Sequence, residues 1–175
     1  MNSKITILLI SHKSKDYVLE YIKNIYNKFE IIIIDNSNDK NLEKLITENY
    51  PEIDLKFMEN KGYGAAINFG SRFVKTDYFI VSNPDIKGLN EKKILMFLDA
   101  SGSLNNNFSV LGPRFLNVNP KSHKQSINNN DLEEMKFLSG ACMFFFKENF
   151  DKIGGFDENF FLYFEENDFC LRSHK

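Results

Sequence analysis

Four short runs dominated by Ile, Leu, Val and Phe fall in the first half of the chain, at residues 5–10, 31–34, 55–58 and 78–81. Between them apolar positions recur at three- and four-residue intervals. Runs of that length bounded by polar residues predict strands, and the intervening spacing predicts helices. Their alternation predicts an α/β fold with a mostly parallel central sheet and helices on both faces. Tyr17, Val18, Tyr21, Ile22, Ile25 and Tyr26 mark a core-packing helix after the first strand, with Asp16 as its N-cap. Leu42, Leu45 and Ile46 predict a second helix ending before Pro51, residues 65–74 a third, and Ile94, Leu95, Phe97 and Leu98 a fourth that stops near Gly102.

From 101 to 131 the pattern breaks. Asparagine triplets at 105–107 and 128–130, with Pro113 and Pro120, predict a long loop around one short strand at 109–111, either a flap over a substrate or a plain surface excursion. Strand character returns at 140–146, a short helix at 148–153 precedes Gly154-Gly155, and a last helix starts near Glu165 and is still running at Lys175. Its apolar residues Phe169 and Leu171 call for a covering element. The chain therefore reads as a single domain, residues 1–175, without the C-terminal portion of a larger enzyme.

Composition narrows the picture. A chain of 175 residues with 42% hydrophobic content and 18 Phe has ample material for one core. A net charge of −2 leaves no basic excess for a nucleic-acid backbone, so no nucleic-acid partner is expected. Cys142 and Cys170 lie far apart among apolar neighbours and read as buried reduced thiols. With neither a CxxC pair nor a His cluster, a zinc site has no support. The first apolar run is too short for a signal-peptide core, and none approaches the length of a transmembrane segment. The expected location is cytoplasmic, with peripheral association at the inner membrane face.

Candidate chemistry concentrates where strands end. Asn83-Pro84-Asp85 follows the fourth run, and ligands of α/β sheets collect beyond the carboxyl ends of the strands. A divalent cation bridging a diphosphate needs only one or two protein carboxylates, and Asp85 fits that role; an ordinary turn is the alternative. Asp35 closes the second strand, where an acceptor suits the imide N–H of uracil or thymine and an Asx turn is the rival explanation. Asn60-Lys61-Gly62-Tyr63-Gly64 leads into the third helix, a place where backbone can approach a phosphate, though it matches neither the dinucleotide fingerprint nor the P-loop. Phe160-Phe161-Leu162-Tyr163-Phe164 ends abruptly in Glu165, Glu166 and Asp168. Acids at a helix start complement its dipole, but carboxylates among aromatics can also have raised pKa values and serve as bases. Glu165 and Asp168 share a helix face and Glu166 points elsewhere. His12, His123 and His174 are scattered and read as surface or structural residues.

Taken in order, Asp35-Asn36-Ser37, Asn60-Lys61-Gly62-Tyr63-Gly64 with Asn68, Asn83-Pro84-Asp85, and Gly154-Gly155-Phe156-Asp157-Glu158 running on to Glu165-Glu166 and Asp168-Phe169-Cys170-Leu171-Arg172 resemble family 2 glycosyltransferases of the GT-A fold, in the rhamnosyltransferase-like branch. The resemblance implies a Rossmann-like sheet. It implies a nucleotide pocket at Ser11, Asp35, Asn60, Lys61, Gly62 and Asn83, and Mg²⁺ or Mn²⁺ on Asp85. Ser139 and Gly140 would lie near the transferred sugar, and Glu166 would act as general base where relatives commonly carry Asp. The implied reaction is inverting transfer from a UDP- or dTDP-sugar to a glycan or lipid-linked glycan acceptor in surface polysaccharide assembly. A truncated, non-catalytic nucleotide-sugar-binding domain is the alternative. Ser11-His12-Lys13-Ser14 stands where a sugar nucleotidyltransferase has a glycine-rich basic loop, which weakens that third reading. Exposed aromatics are expected to support a homo-oligomer.

Overall fold

The computed structural model describes residues 2–114 and 132–174. Pro120, His123 and the asparagine triplet at 128–130 lie outside the described residues, as does Lys175. Strands and helices among the described residues first alternate as β1 (Asn2–Ser11), α1 (Lys15–Lys23), β2 (Phe29–Asp35), α2 (Lys40–Asn49), β3 (Asp54–Phe57), α3 (Tyr63–Ser71), β4 (Tyr78–Ser82) and α4 (Glu91–Ser103). After these come β5 (Val110–Leu111), β6 (Cys142–Phe146), α5 (Lys147–Ile153) and α6 (Glu165–Ser173).

The strands form one sheet in the order β3-β2-β1-β4-β6-β5. β1 is parallel to β2 and β4, β2 is parallel to β3, and β6 runs antiparallel to both β4 and β5. In register, Ser11 faces Asp35, Asp35 faces Phe57, and Ser82 faces Cys142. The carboxyl ends of the four parallel strands and the amino end of β6 therefore share one edge. The chain winds outward from β1 through β2 to β3, then crosses to place β4 on the other side of β1. That reversal opens the crevice in which α/β sheets bind ligands.

Alternation along each strand divides the core in two. Ile5, Ile7, Leu9, Ile31, Ile33, Ile80 and Phe144 pack against Val18 and Ile22 of α1, Leu42 and Ile46 of α2, and Ile94 and Phe97 of α4. Leu8, Ile10, Ile32, Ile34, Phe79, Val81 and Phe145 pack on the opposite side against Ala66 and Ile67 of α3, Phe150 of α5 and Phe169 of α6. Phe145 has ring contacts with Phe150, Phe156 and Phe169 at centroid separations of 5.1, 6.1 and 5.4 Å. Such edge-on aromatic pairs contribute about 0.5–1.5 kcal/mol each beyond their burial. They fix α6 on the sheet, and with it the acids at its start.

Several boundaries move from those expected. The N-cap position of α1 is Ser14, and Asp16 lies in the first turn. There its charge complements the dipole without receiving the orphan N–H groups. α1 ends at Lys23, ahead of the left-handed Asn27 (φ 64°), so Ile25 and Tyr26 belong to a turn, although Ile25 remains fully buried. Tyr17 is 53% exposed and no part of the core, because the buried stripe of α1 runs through Val18, Tyr21 and Ile22. α3 begins at Tyr63 and ends at Ser71, whereas α4 stops at Ser103, beside Gly102 as expected. Phe169 is buried while Leu171 is 47% exposed. Both cysteines are buried and free. Among the described residues no helix is long and apolar enough to cross a membrane.

Candidate functional site

At the carboxyl end of β2, Asp35 has no exposed surface. Its Oδ1 accepts from the backbone N–H groups of Ser37 (3.0 Å) and Asp39 (3.1 Å), and the Ser37 hydroxyl donates to both carboxylate oxygens at 3.1 Å. This is the Asx arrangement, and it shapes the loop that delivers Asp39 as N-cap of α2, accepting from Asn41 and Leu42 N–H at 2.9 and 3.0 Å. Beside it the buried Ser11 shares a 3.2 Å hydrogen bond with the Ser14 hydroxyl, and its carbonyl accepts from Asn36 N–H at 3.0 Å.

A polar chain crosses the ends of the first three strands. The Gly62 N–H donates to Asn60 Oδ1 (3.2 Å), so Asn36 must present its amide NH₂ to that same oxygen, also at 3.2 Å. Asn36 Oδ1 is then left facing His12 Nδ1 at 2.8 Å. The acceptor fixes the proton on Nδ1, which leaves Nε2 of a neutral His12 as the lone-pair nitrogen. The rule that ligands gather beyond strand ends applies equally to His12 and Asn36, the residues next to Ser11 and Asp35, and it is the signal in the sequence that points to them. Lys61 is exposed and lies 4.0 Å from Glu59, a distance at which a solvated pair contributes little.

The loop after β3 is covered by the segment preceding α6. Gly62 has φ 103°, and a Cβ built on it would lie 2.2 Å from the Phe161 carbonyl oxygen, which itself accepts from Tyr63 N–H at 3.0 Å. The Tyr63 phenol donates to the Gly140 carbonyl at 2.9 Å. Asn68 of α3 holds the next turn from both sides, donating to the Phe156 carbonyl and accepting from the Phe156 N–H, each at 2.9 Å. Arg172 of α6 closes the arrangement from beneath, with Nη1 to the Ile153 carbonyl (3.0 Å) and Nη2 to the Gly155 carbonyl (2.7 Å). Tyr163 and Phe164 both adopt left-handed backbone, with φ 68° and 72°. Conformations of this kind cost on the order of 1–3 kcal/mol each and persist where the surroundings over-determine them.

That constrained turn separates the roles of the three acids. Asp168 is committed to Arg172 Nε at 2.8 Å. Glu165 is buried against α3, with Oε2 making no hydrogen bond among the described residues. Burial raises its pKa, opposed by a backbone hydrogen bond and reinforced by the charge of Glu166. Glu166 is half-buried with its stem over Gly140: a Cβ built on Gly140 would meet its Cβ and Cγ at 3.7 Å. Of the three, Glu166 is the acid whose carboxylate makes no hydrogen bond or ion pair to another described residue, and it stands beside the Ser139–Gly140 loop.

The state of Glu165 gives a pH test. A carboxyl that holds its proton more tightly folded than unfolded stabilises the protein at low pH, and stability falls as pH rises from the unfolded value, about 4.3, through the raised folded one. Glu165→Gln should remove that fall, so the variant's urea midpoint should match wild type near pH 4 and exceed it at pH 7. Parallel curves for the two proteins would show that the buried acid carries no such penalty.

At the end of β4 the Asn83 N–H donates to the Ala141 carbonyl (2.9 Å), joining the strand exit to the Gly140 loop, and Asn83 accepts from Ile86 N–H at 3.2 Å. Asp85 is exposed, and its carboxylate makes no hydrogen bond or ion pair to another described residue. Among the described residues no group of three or more His, Cys, Asp or Glu is placed to hold a metal ion. A single free carboxylate at this edge fits a cation whose other ligands are phosphate oxygens and water, and does not fit an all-protein metal cage. The predicted residues thus fall along one edge of the sheet, Ser11, Asp35 and Asn60 toward β3, and Asn83, Gly140 and Glu166 toward β6.

Known proteins share this sequence pattern and this fold. A profile described as glycosyl transferase family 2 matches residues 6–154. A low-salt glycan biosynthesis hexosyltransferase of Haloferax volcanii is 26% identical over an alignment covering 100% of this chain and 63% of that protein. The rhamnosyltransferase WbbL of Escherichia coli is 27% identical, over 95% of this chain and 75% of its own length. An N-acetylglucosaminyl-diphospho-decaprenol L-rhamnosyltransferase of Mycobacterium tuberculosis is 26% identical, over 79% of this chain and 58% of its own. The chain thus spans 58–75% of the length of these curated relatives. Among solved structures, S. aureus TarS 1–349 in complex with UDP-GlcNAc superposes with TM-score 0.66 at 17% identity, over 97% of this chain and 53% of that one. GalNAc-T7 with UDP, GalNAc and Mn²⁺ gives TM-score 0.72 at 10% identity, over 97% and 40%. At such identities the superpositions establish the GT-A fold.

Proposed function

The chain belongs to glycosyl transferase family 2, and on that premise we propose that it transfers a sugar from a UDP- or dTDP-sugar to a glycan or lipid-linked glycan acceptor in surface polysaccharide assembly, by a single inverting displacement. The observation that carries this reading is the convergence on one sheet edge of the Gly62 loop, the free carboxylate of Asp85, and Glu166 beside Gly140. The nucleotide is assigned to the Ser11, Asp35 and Asn60 end. In the conformation described the Asp35 carboxylate is buried beneath the loop it holds, so contact with a nucleobase imide requires that loop to shift. Mg²⁺ or Mn²⁺ on Asp85 would, when bound, stabilise charge on the departing diphosphate. Glu166 takes the proton of the acceptor hydroxyl as that oxygen attacks the anomeric carbon. The exposed Phe161, Leu162, Tyr163 and Phe164 next to it supply an apolar, aromatic surface for the acceptor.

The test is isothermal titration with UDP and dTDP, with and without Mn²⁺, on wild type and Asp85→Ala. Wild type should bind one of the two more tightly with Mn²⁺, and the variant should lose only that metal-dependent gain. No binding of either nucleotide under either condition overturns the proposal. Binding without turnover in a transfer assay would identify a nucleotide-sugar-binding domain instead.

A further inference from the structure

We propose that Tyr63 is a positioning residue, tethering the Gly140 loop to α3 through its phenol and so setting where the Glu166 carboxylate stands; this rests on the glycosyl-transfer reading above. Tyr63 is the first residue of α3 and makes two long-range ties. Its N–H donates to the Phe161 carbonyl at 3.0 Å, and its hydroxyl to the Gly140 carbonyl at 2.9 Å. A Cβ on Gly140 would meet Glu166 at 3.7 Å and the Tyr63 ring at 3.8 Å, so phenol, loop and acid form one packed cluster. From the β4 side the loop is held by Asn83 N–H on the Ala141 carbonyl at 2.9 Å, and within itself by a longer 3.4 Å contact of Ala141 N–H with Ser139 Oγ. The hydroxyl of Tyr63 is therefore the tie between the loop and the α3 wall. Burial and the neighbouring Cys142, Glu165 and Glu166 all push the phenol's ionisation upward, which keeps it a donor.

A general base works only when held within a few tenths of an ångström of its productive geometry, so a tether of this kind belongs to the chemical step more than to nucleotide binding. Ser11, Asn60 and Asp85 make no bond to the phenol, and nucleotide affinity has no reason to depend on it.

Tyr63→Phe removes the hydroxyl and keeps the ring. Two readouts are needed: hydrogen–deuterium exchange over residues 136–143, β4 and β6, and steady-state transfer with nucleotide titration. We expect faster exchange at 139–141 with β4 and β6 unchanged. We also expect kcat to fall about threefold to tenfold, the range of one net hydrogen bond, with nucleotide Kd unchanged. Unchanged exchange at 139–141 overturns the tether whatever the activity, and so does faster exchange spread equally through β4 and β6, which signals general loosening. A kcat equal to wild type, or a loss confined to nucleotide Kd, overturns the positioning role. If wild type binds neither nucleotide, the glycosyl-transfer reading fails by itself, and the exchange result alone decides whether the hydroxyl tethers the loop.

Discussion

Glu166→Gln is expected to lower the rate of sugar transfer by about 10²- to 10⁴-fold, the usual contribution of a general base, while leaving the affinity for UDP or dTDP unchanged. The substitution keeps shape and hydrogen-bonding capacity and removes only the ability to take a proton. Glu166 is singled out by exclusion as well as by place. Asp168 is neutralised by Arg172, whose guanidinium is itself fixed on two backbone carbonyls, and Glu165 is buried with its pKa raised by desolvation. Among the described residues Glu166 is the one of the three acids without a hydrogen bond or ion pair, and it stands beside the Gly140 loop. The measurement is kcat at saturating donor, with nucleotide titration in parallel and Glu165→Gln as companion. A Glu166→Gln protein that keeps more than about a tenth of wild-type kcat would sink the assignment. So would a Glu165→Gln protein that is the more impaired of the two.

How much of this could be read from the sequence depends on the range of the interaction. The apolar runs of β1, β2 and β4 are buried on both faces and stood out as strands. The rule about strand ends then places Asp35 and Asp85 on one edge from the sequence alone. β6 looks the same in sequence as a parallel strand, since Cys142 to Phe145 are all buried. Its antiparallel pairing with β4 follows from chain topology and has no local signature. The Asx turn at Asp35 has no unique signature, because Asp35-Asn36-Ser37 suits a turn and an acceptor alike. Helical spacing put Glu165 and Asp168 on one face but could not tell that the first is buried against α3 and the second paired with Arg172. Within the Asn60–Gly64 motif Tyr63 has no role legible in the sequence for the same reason: its partners, Phe161 and Gly140, are distant in the chain, and only the fold brings them to it.

Gly62→Ala should be the most destabilising single change at the site, by about 2–6 kcal/mol, out of a total of about 5–15 kcal/mol for a typical domain. Two costs combine. At φ 103° any residue with a Cβ is strained, and here that Cβ would lie 2.2 Å from the Phe161 carbonyl oxygen and 2.8 Å from the carbonyl carbon and Cα behind it. The obstacle is backbone, and it cannot move aside without breaking the 3.0 Å hydrogen bond from Tyr63 N–H that seats the aromatic segment on α3. Gly154 separates the two costs, for its φ of 89° carries the same strain while nothing lies within 4 Å of its Cβ position. Gly154→Ala should therefore cost about 1–3 kcal/mol, with Gly62→Ala exceeding it by the penalty of the clash. Urea unfolding of the two variants measures the difference, and nucleotide titration should show weakened binding for Gly62→Ala alone. Equal costs for the two substitutions would mean that the segment before α6 does not rest on the Gly62 loop, and the enclosure that brings Glu166 to the donor side of the sheet would have to be abandoned.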